Sequence, residues 1–154
     1  MAGSDTFRGC SFQAAYSVVL ALDVLEGQAA ALVLEGDADI VDAALLDDSG
    51  ATTRAVQAKT KIEPHTWGPQ EIAEVLARWI AASPSTGAYF DFVTDGSLGP
   101  TVSNKLRPAL RRTGEGAATV EDRECLAGLD LDPNEPVLAS IRHQVVGGAR
   151  WGEI

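Results

Sequence analysis

Residues 35–59 constrain this chain more than any other stretch. The apolar run Leu32, Val33 and Leu34 ends in an acidic turn, Glu35-Gly36-Asp37-Ala38-Asp39, and an apolar-patterned segment starts directly behind it, with Asp39 opening it and Leu46 closing it. That segment stops at Asp47-Asp48-Ser49-Gly50, a turn signal. A third segment, residues 52–60, opens on β-branched Thr52 and Thr53. Short extended segments joined by tight turns specify an antiparallel meander. Strand side chains alternate with period two, so Thr53, Ala55, Gln57 and Lys59 share one face. The carboxylates of Glu35 and Asp39, the amide of Gln57 and the ammonium of Lys59 are therefore expected to converge. Two carboxylates and a carbonyl-type oxygen suit a hard, oxygen-preferring ion such as Mg2+, and a neighbouring ammonium suits a phosphate or an attacking hydroxide. Taken singly, the same residues have plainer readings. Asp37 and Asp39 are ordinary turn formers, and Lys59 alone is a solvated strand-end lysine.

Helical signals flank this core. Ser11 is placed as an N-cap, Ala15, Val18, Val19, Leu22 and Leu25 fall at helical spacing, and Gly27 is a stop, which predicts a helix over 12–25 with Gln13 in its first turn. Residues 29–34 make a short central strand. Beyond the break at residues 64–69, Ile72, Val75, Leu76, Trp79 and Ile80 form one stripe, predicting an amphipathic helix over 70–81. Tyr89, Phe90, Phe92, Val93 and Thr94 predict a fourth strand, which a helical crossover returns parallel to an earlier one. Residues 104–112 read as a short helix or loop whose length Pro108 limits. Its basic residues, Lys105, Arg107, Arg111 and Arg112, either touch phosphates or form a solvated face. Residues 120–126 suggest one or two helical turns, and residues 137–141 a strand. Trp67 and Trp79 read as packing residues, and neither His65 nor His143 has a partner at metal spacing.

Composition narrows the function classes. A chain of 154 residues with 45% hydrophobic residues makes one globular domain. Twelve basic against 22 acidic residues give a formal charge of -10, which opposes non-specific DNA binding by a basic surface. Cys10 and Cys125 lie far apart without metal spacing, so a reducing cytoplasm is expected, with a single disulfide as the alternative. The start lacks the order of a secretory signal, and no apolar run approaches the roughly 20 residues of a membrane helix, so a soluble, cytoplasmic protein without membrane contact is expected. The sequence runs out at Trp151-Gly152-Glu153-Ile154 without a tail, as expected of a domain excised from a longer protein.

The order helix, strand, strand, strand, helix, strand, with Gln13 on the first helix, Asp39 opening the second strand and Gln57-Ala58-Lys59 on the third, resembles the PD-(D/E)xK nuclease superfamily. The resemblance implies an α/β (α+β) fold with a restriction-endonuclease-like core and a mixed sheet. More narrowly, Phe7-Arg8-Gly9, Phe12-Gln13, residues 35–39 and Gln57-Ala58-Lys59 resemble the double-stranded DNA endonuclease domain at the N-terminus of bacterial antiphage effectors. These include nucleotide-second-messenger (CBASS) systems and STAND sensors. It covers residues 7–112 and rests on joint order and spacing, because each motif is short. Gln57 stands where the superfamily's name has Asp or Glu; the antiphage branch commonly carries glutamine there, which lowers the ligand charge. The resemblance implies a metal-dependent endodeoxyribonuclease using Mg2+, or Mn2+. Asp39 is then the bridging carboxylate, Glu35 a second ligand or an outer carboxylate, and Gln57 an oxygen ligand. Lys59 orients or helps deprotonate the attacking water, and Gln13 holds a water, a metal ligand or the substrate phosphate. The implied partners are double-stranded DNA, C-terminal sensor or oligomerisation domains, and further copies of the chain in the active state. The alternative is a catalytically silent domain of the same fold, serving oligomerisation or nucleic-acid binding.

Overall fold

A computed structural model describes residues 2–34, 41–62, 64–82 and 88–140, with the side chains of residues 2–6, 139 and 140 outside the description. The chain opens with helix α1, Ala2–Leu25. Ser11 lies inside this helix, where a cap had been expected, because tertiary contacts extend it toward the N-terminus. Arg8, Phe12, Tyr16 and Leu20 form one i, i+4 row; Phe12 and Leu20 are buried and Tyr16 packs beside them. Docking of such a face, more than local propensity, decides whether a helix persists. Helix α1 gives way to Gly27, whose φ of 75° favours a residue without a Cβ.

Strands β1 (Ala31–Leu34), β2 (Ala43–Leu46) and β3 (Thr52–Lys59) form the expected antiparallel meander. Helix α2 (Pro69–Ala81) then crosses over to β4 (Tyr89–Thr94), which pairs parallel to β3, so the mixed sheet has the order β1-β2-β3-β4. Strand β2 is shorter than its hydrophobic pattern suggests. Val41 and Asp42 precede it, which corrects the expectation that the strand opens at Asp39; Asp39 itself, like Glu35, lies outside the described residues.

The sheet separates two cores. On the α1 face, Phe12 and Leu20 meet Ala43, Leu45, Val56, Ala58 and Val93. On the other, Ala55, Phe90 and Phe92 meet Ile72, Leu76 and Trp79 of α2. Trp79 stacks on Phe90 with centroids 4.4 Å apart, and Trp67 meets Phe92 edge-on at 5.0 Å. Both tryptophans are packing residues, as their settings in the sequence suggested. Gly96, just beyond β4, passes so close to the segment after β3 that a Cβ there would lie 2.7 Å from that of Lys61.

Beyond residue 99 the regular elements among the described residues are helical. A π-helical segment, Val102–Leu106, runs without a break into α3, Arg107–Gly114. Pro108 does not shorten this run as expected: it stands directly after the π-helical segment passes into α3, where the i→i−4 pattern is already interrupted. Helix α4 spans Val120–Ala127 and α5 spans Pro136–Ser140. The strand expected over 137–141 is thus a helix in its described part: Pro136 suits a helix start, and Leu138 is buried in the α2-side core. No described helix is long and apolar enough to cross a membrane.

Arg112 of α3 grips Asp122 of α4 through Nε at 2.7 Å and Nη2 at 2.5 Å, while Thr119 and Asp122 exchange capping bonds. The guanidinium, aided by Thr119, holds the Asp122 carboxyl well below the usual carboxylate range against its desolvation. The unfolded chain therefore binds this proton more readily than the folded one. The resulting stability is complete above about pH 4, the unfolded aspartate value, and drains away as pH falls through the depressed folded one. Asp122→Asn is expected to flatten the acid limb of a plot of melting temperature against pH; an unchanged acid limb would count against the pair.

Candidate functional site

Strand alternation puts Gln57 and Lys59 on the side of Ala55, toward the α2 layer, while Val56 and Ala58 face α1. Parallel pairing sets Gln57 beside Phe92 and Lys59 beside Thr94. Gln57 is only 2% exposed, and its Oε1 has no hydrogen-bond partner among the described residues. A buried acceptor left unmade costs about 1–3 kcal/mol, so such an atom calls for a reason. Lys59 is half-buried, and no described residue forms an ion pair with it. Lys61, two positions on, is differently placed. Its Nζ donates to both Glu71 oxygens at 2.5 and 2.7 Å and sits 4.5 Å above the Trp67 ring. Glu71 in turn accepts from the Gly68 N–H, and these bonds hold its carboxyl below the ordinary range.

Gln13 reaches the same strand from the opposite layer. Its Nε2 donates to Asp42 Oδ1 at 2.8 Å, and Asp42 Oδ2 accepts the backbone N–H of Ala58 at 2.7 Å. Ala58 lies between Gln57 and Lys59. Asp42 N also donates at 2.9 Å to the carbonyl of Val56, the register partner of Ala43, so Asp42 sits just ahead of β2 against this part of β3. One carboxylate therefore ties α1 to the centre of the Gln57-Ala58-Lys59 motif. The sequence pattern passes over Asp42, because its bond to Gln13 depends on how α1 lies across the sheet and no local spacing signals it.

A second tie closes the same end of the sheet. Arg8 donates from Nε and Nη2 to Asp95 Oδ2 at 2.9 and 2.6 Å, and Asp95 Oδ1 accepts the Lys61 N–H at 3.1 Å. Farther along β3, Arg54 pairs with Asp91 and with Asp23. The guanidinium of Arg8 is thus spent on Asp95. Among the residues singled out from sequence, the structure unites Gln57 and Lys59 on one face and brings Gln13 to their strand through Asp42. Glu35 and Asp39 lie outside the described residues. Among the described residues, no group of three or more His, Cys, Asp or Glu is placed to hold a metal ion. The partnerless Oε1 of Gln57 is nevertheless a hard oxygen donor of the kind Mg2+ takes.

Comparison with protein-family models, with curated proteins and with solved structures finds no match to this chain.

Proposed function

We propose that this chain is a metal-dependent DNA endonuclease domain with a restriction-endonuclease-like core, acting as an effector of bacterial antiphage defence. The observation that carries this reading is the buried amide oxygen of Gln57, without a hydrogen-bond partner among the described residues, two residues from Lys59, whose ammonium forms no ion pair with a described residue. The element order, with three antiparallel strands and a fourth returning parallel after a helix, supports it.

Gln57 Oε1 and the Asp39 carboxylate are the groups that would hold a divalent cation, with Glu35 as a further ligand or an outer carboxylate. Such a cation, when bound, supplies charge neutralisation and an acidified water. Lys59 orients the attacking water and stabilises the negative charge carried by the non-bridging phosphate oxygens as the new P–O bond forms and the old one breaks, the leaving oxygen taking the electron pair. Gln13, fixed by Asp42, keeps β3 in register for these contacts. The exposed apolar row Val18, Leu22 and Leu25 on α1 supports action as assembled copies.

The test is plasmid cleavage by the chain at high local concentration. Cleavage is expected with Mg2+ or Mn2+ and none with excess chelator. Intact plasmid with both metals and with clustered protein would favour the catalytically silent alternative.

A further inference from the structure

In a chain with 22 acidic residues, residues 96–114 contain no Asp or Glu, yet hold Lys105, Arg107, Arg111 and Arg112. The structure sorts these cations into two kinds. Arg112 is spent on Asp122, whereas Arg107 and Arg111 enter no ion pair with a described residue and are exposed. With Ser103 and Pro108 they line an open hollow of ≈ 190 Å³. The π-helical turn helps to build it. The N–H of Arg107 donates five residues back to Val102, and Ser103 lies within this wide turn, four residues ahead of Arg107. Arg107 and Arg111 then follow one α-helical turn apart. Two guanidiniums and a hydroxyl around one hollow suit the non-bridging oxygens of a phosphodiester, which guanidinium binds bidentately. The charge of -10 sharpens the assignment, since the chain as a whole repels a polyanion and residues 96–114 are free of that acidic charge.

We infer that Ser103, Arg107 and Arg111 form a binding site for the DNA sugar–phosphate backbone, apart from the Gln57 and Lys59 pair. This deepens the nuclease reading and rests on it for the identity of the polyanion. Bonds to phosphate fix position and orientation without reading sequence.

The experiment is the anisotropy of a labelled 20-base-pair duplex titrated with the intact chain at several KCl concentrations in chelator, where hydrolysis does not intrude. Arg107→Gln/Arg111→Gln is expected to lower the magnitude of the slope of log K against log salt by about 2, since each lost phosphate contact removes about 0.9. Both side chains are exposed, so the melting temperature should hold. Arg78→Gln/Arg123→Gln makes the same change in net charge at exposed sites elsewhere and should leave the slope unchanged. The inference fails if the hollow variant keeps the wild-type slope, if the control pair lowers it equally, or if the wild-type chain binds no duplex. It also fails if the slope survives while inorganic phosphate still shifts the Arg107 and Arg111 Nε resonances, which would make the hollow a site for free phosphate. Cleavage scored separately keeps the two readings apart. A lost slope in a chain that never cuts DNA spares the hollow and removes the nuclease, and an unchanged slope in a chain that cuts does the reverse.

Discussion

Lys59→Ala is expected to reduce single-turnover DNA cleavage by about 10²- to 10³-fold, the usual loss when one preorganised stabiliser of developing negative charge is removed. The fold should scarcely notice. Lys59 is half-buried at the end of β3 and makes no ion pair among the described residues, so its truncation should shift stability by no more than about 0.5 kcal/mol. The internal comparison is Lys61→Ala. Lys61 is held by Glu71 and by the face of Trp67, so its loss should lower the melting temperature slightly while leaving the cleavage rate near wild type. Lys59→Arg is a finer test. It keeps the charge but replaces a compact ammonium with a flat fork, and is expected to recover only part of the rate. A Lys59→Ala protein that cuts at the wild-type rate would remove Lys59 from the chemistry, and a Lys61→Ala protein that loses the rate would move the role two residues along.

Much of the fold is legible in the sequence because its strands carry strong local signals. The Asp47-Asp48-Ser49-Gly50 turn and the β-branched start of β3 specify the hairpin, and the stripe from Ile72 to Ile80 specifies the crossover helix that makes β4 parallel. The misplaced boundaries are those that tertiary contacts decide. Helix α1 runs past Ser11 because Phe12 docks on the sheet and Arg8 finds Asp95, a residue 87 positions away, which no local window contains. Residues 137 and 138 join a helix although Val and Leu favour a strand just as well, because Leu138 fills the α2-side core. The candidate site divides in the same way. Gln57 and Lys59 share a face by period two alone. The pairing of Gln13 with Asp42 depends on how α1 lies across the sheet, and residue spacing says nothing of that.

Asp42→Ala is expected to be the most damaging substitution to stability near the site, at about 2–4 kcal/mol, since it leaves both the Gln13 amide and the Ala58 N–H without their acceptor in a partly buried setting. For a chain of this size that corresponds to a fall of roughly 5–15 °C in melting temperature. The loss should be local before it is global. Hydrogen exchange at the Ala58 amide should speed up by more than at the amide of residue 42, whose own N–H still donates to the Val56 carbonyl. Asp42→Asn keeps an acceptor for Ala58 but turns its own amide donors toward those of Gln13, so it is expected to fall between Ala and wild type. Combining it with Gln13→Glu reverses donor and acceptor across the same gap. This pair should recover most of the lost stability, and the double-mutant cycle then isolates the helix-to-strand tie from the backbone one. If Asp42→Ala melts with the wild type and the Ala58 amide stays protected, the carboxylate is not what joins α1 to β3, and the placement of Gln57 and Lys59 must come from the strand pairing alone.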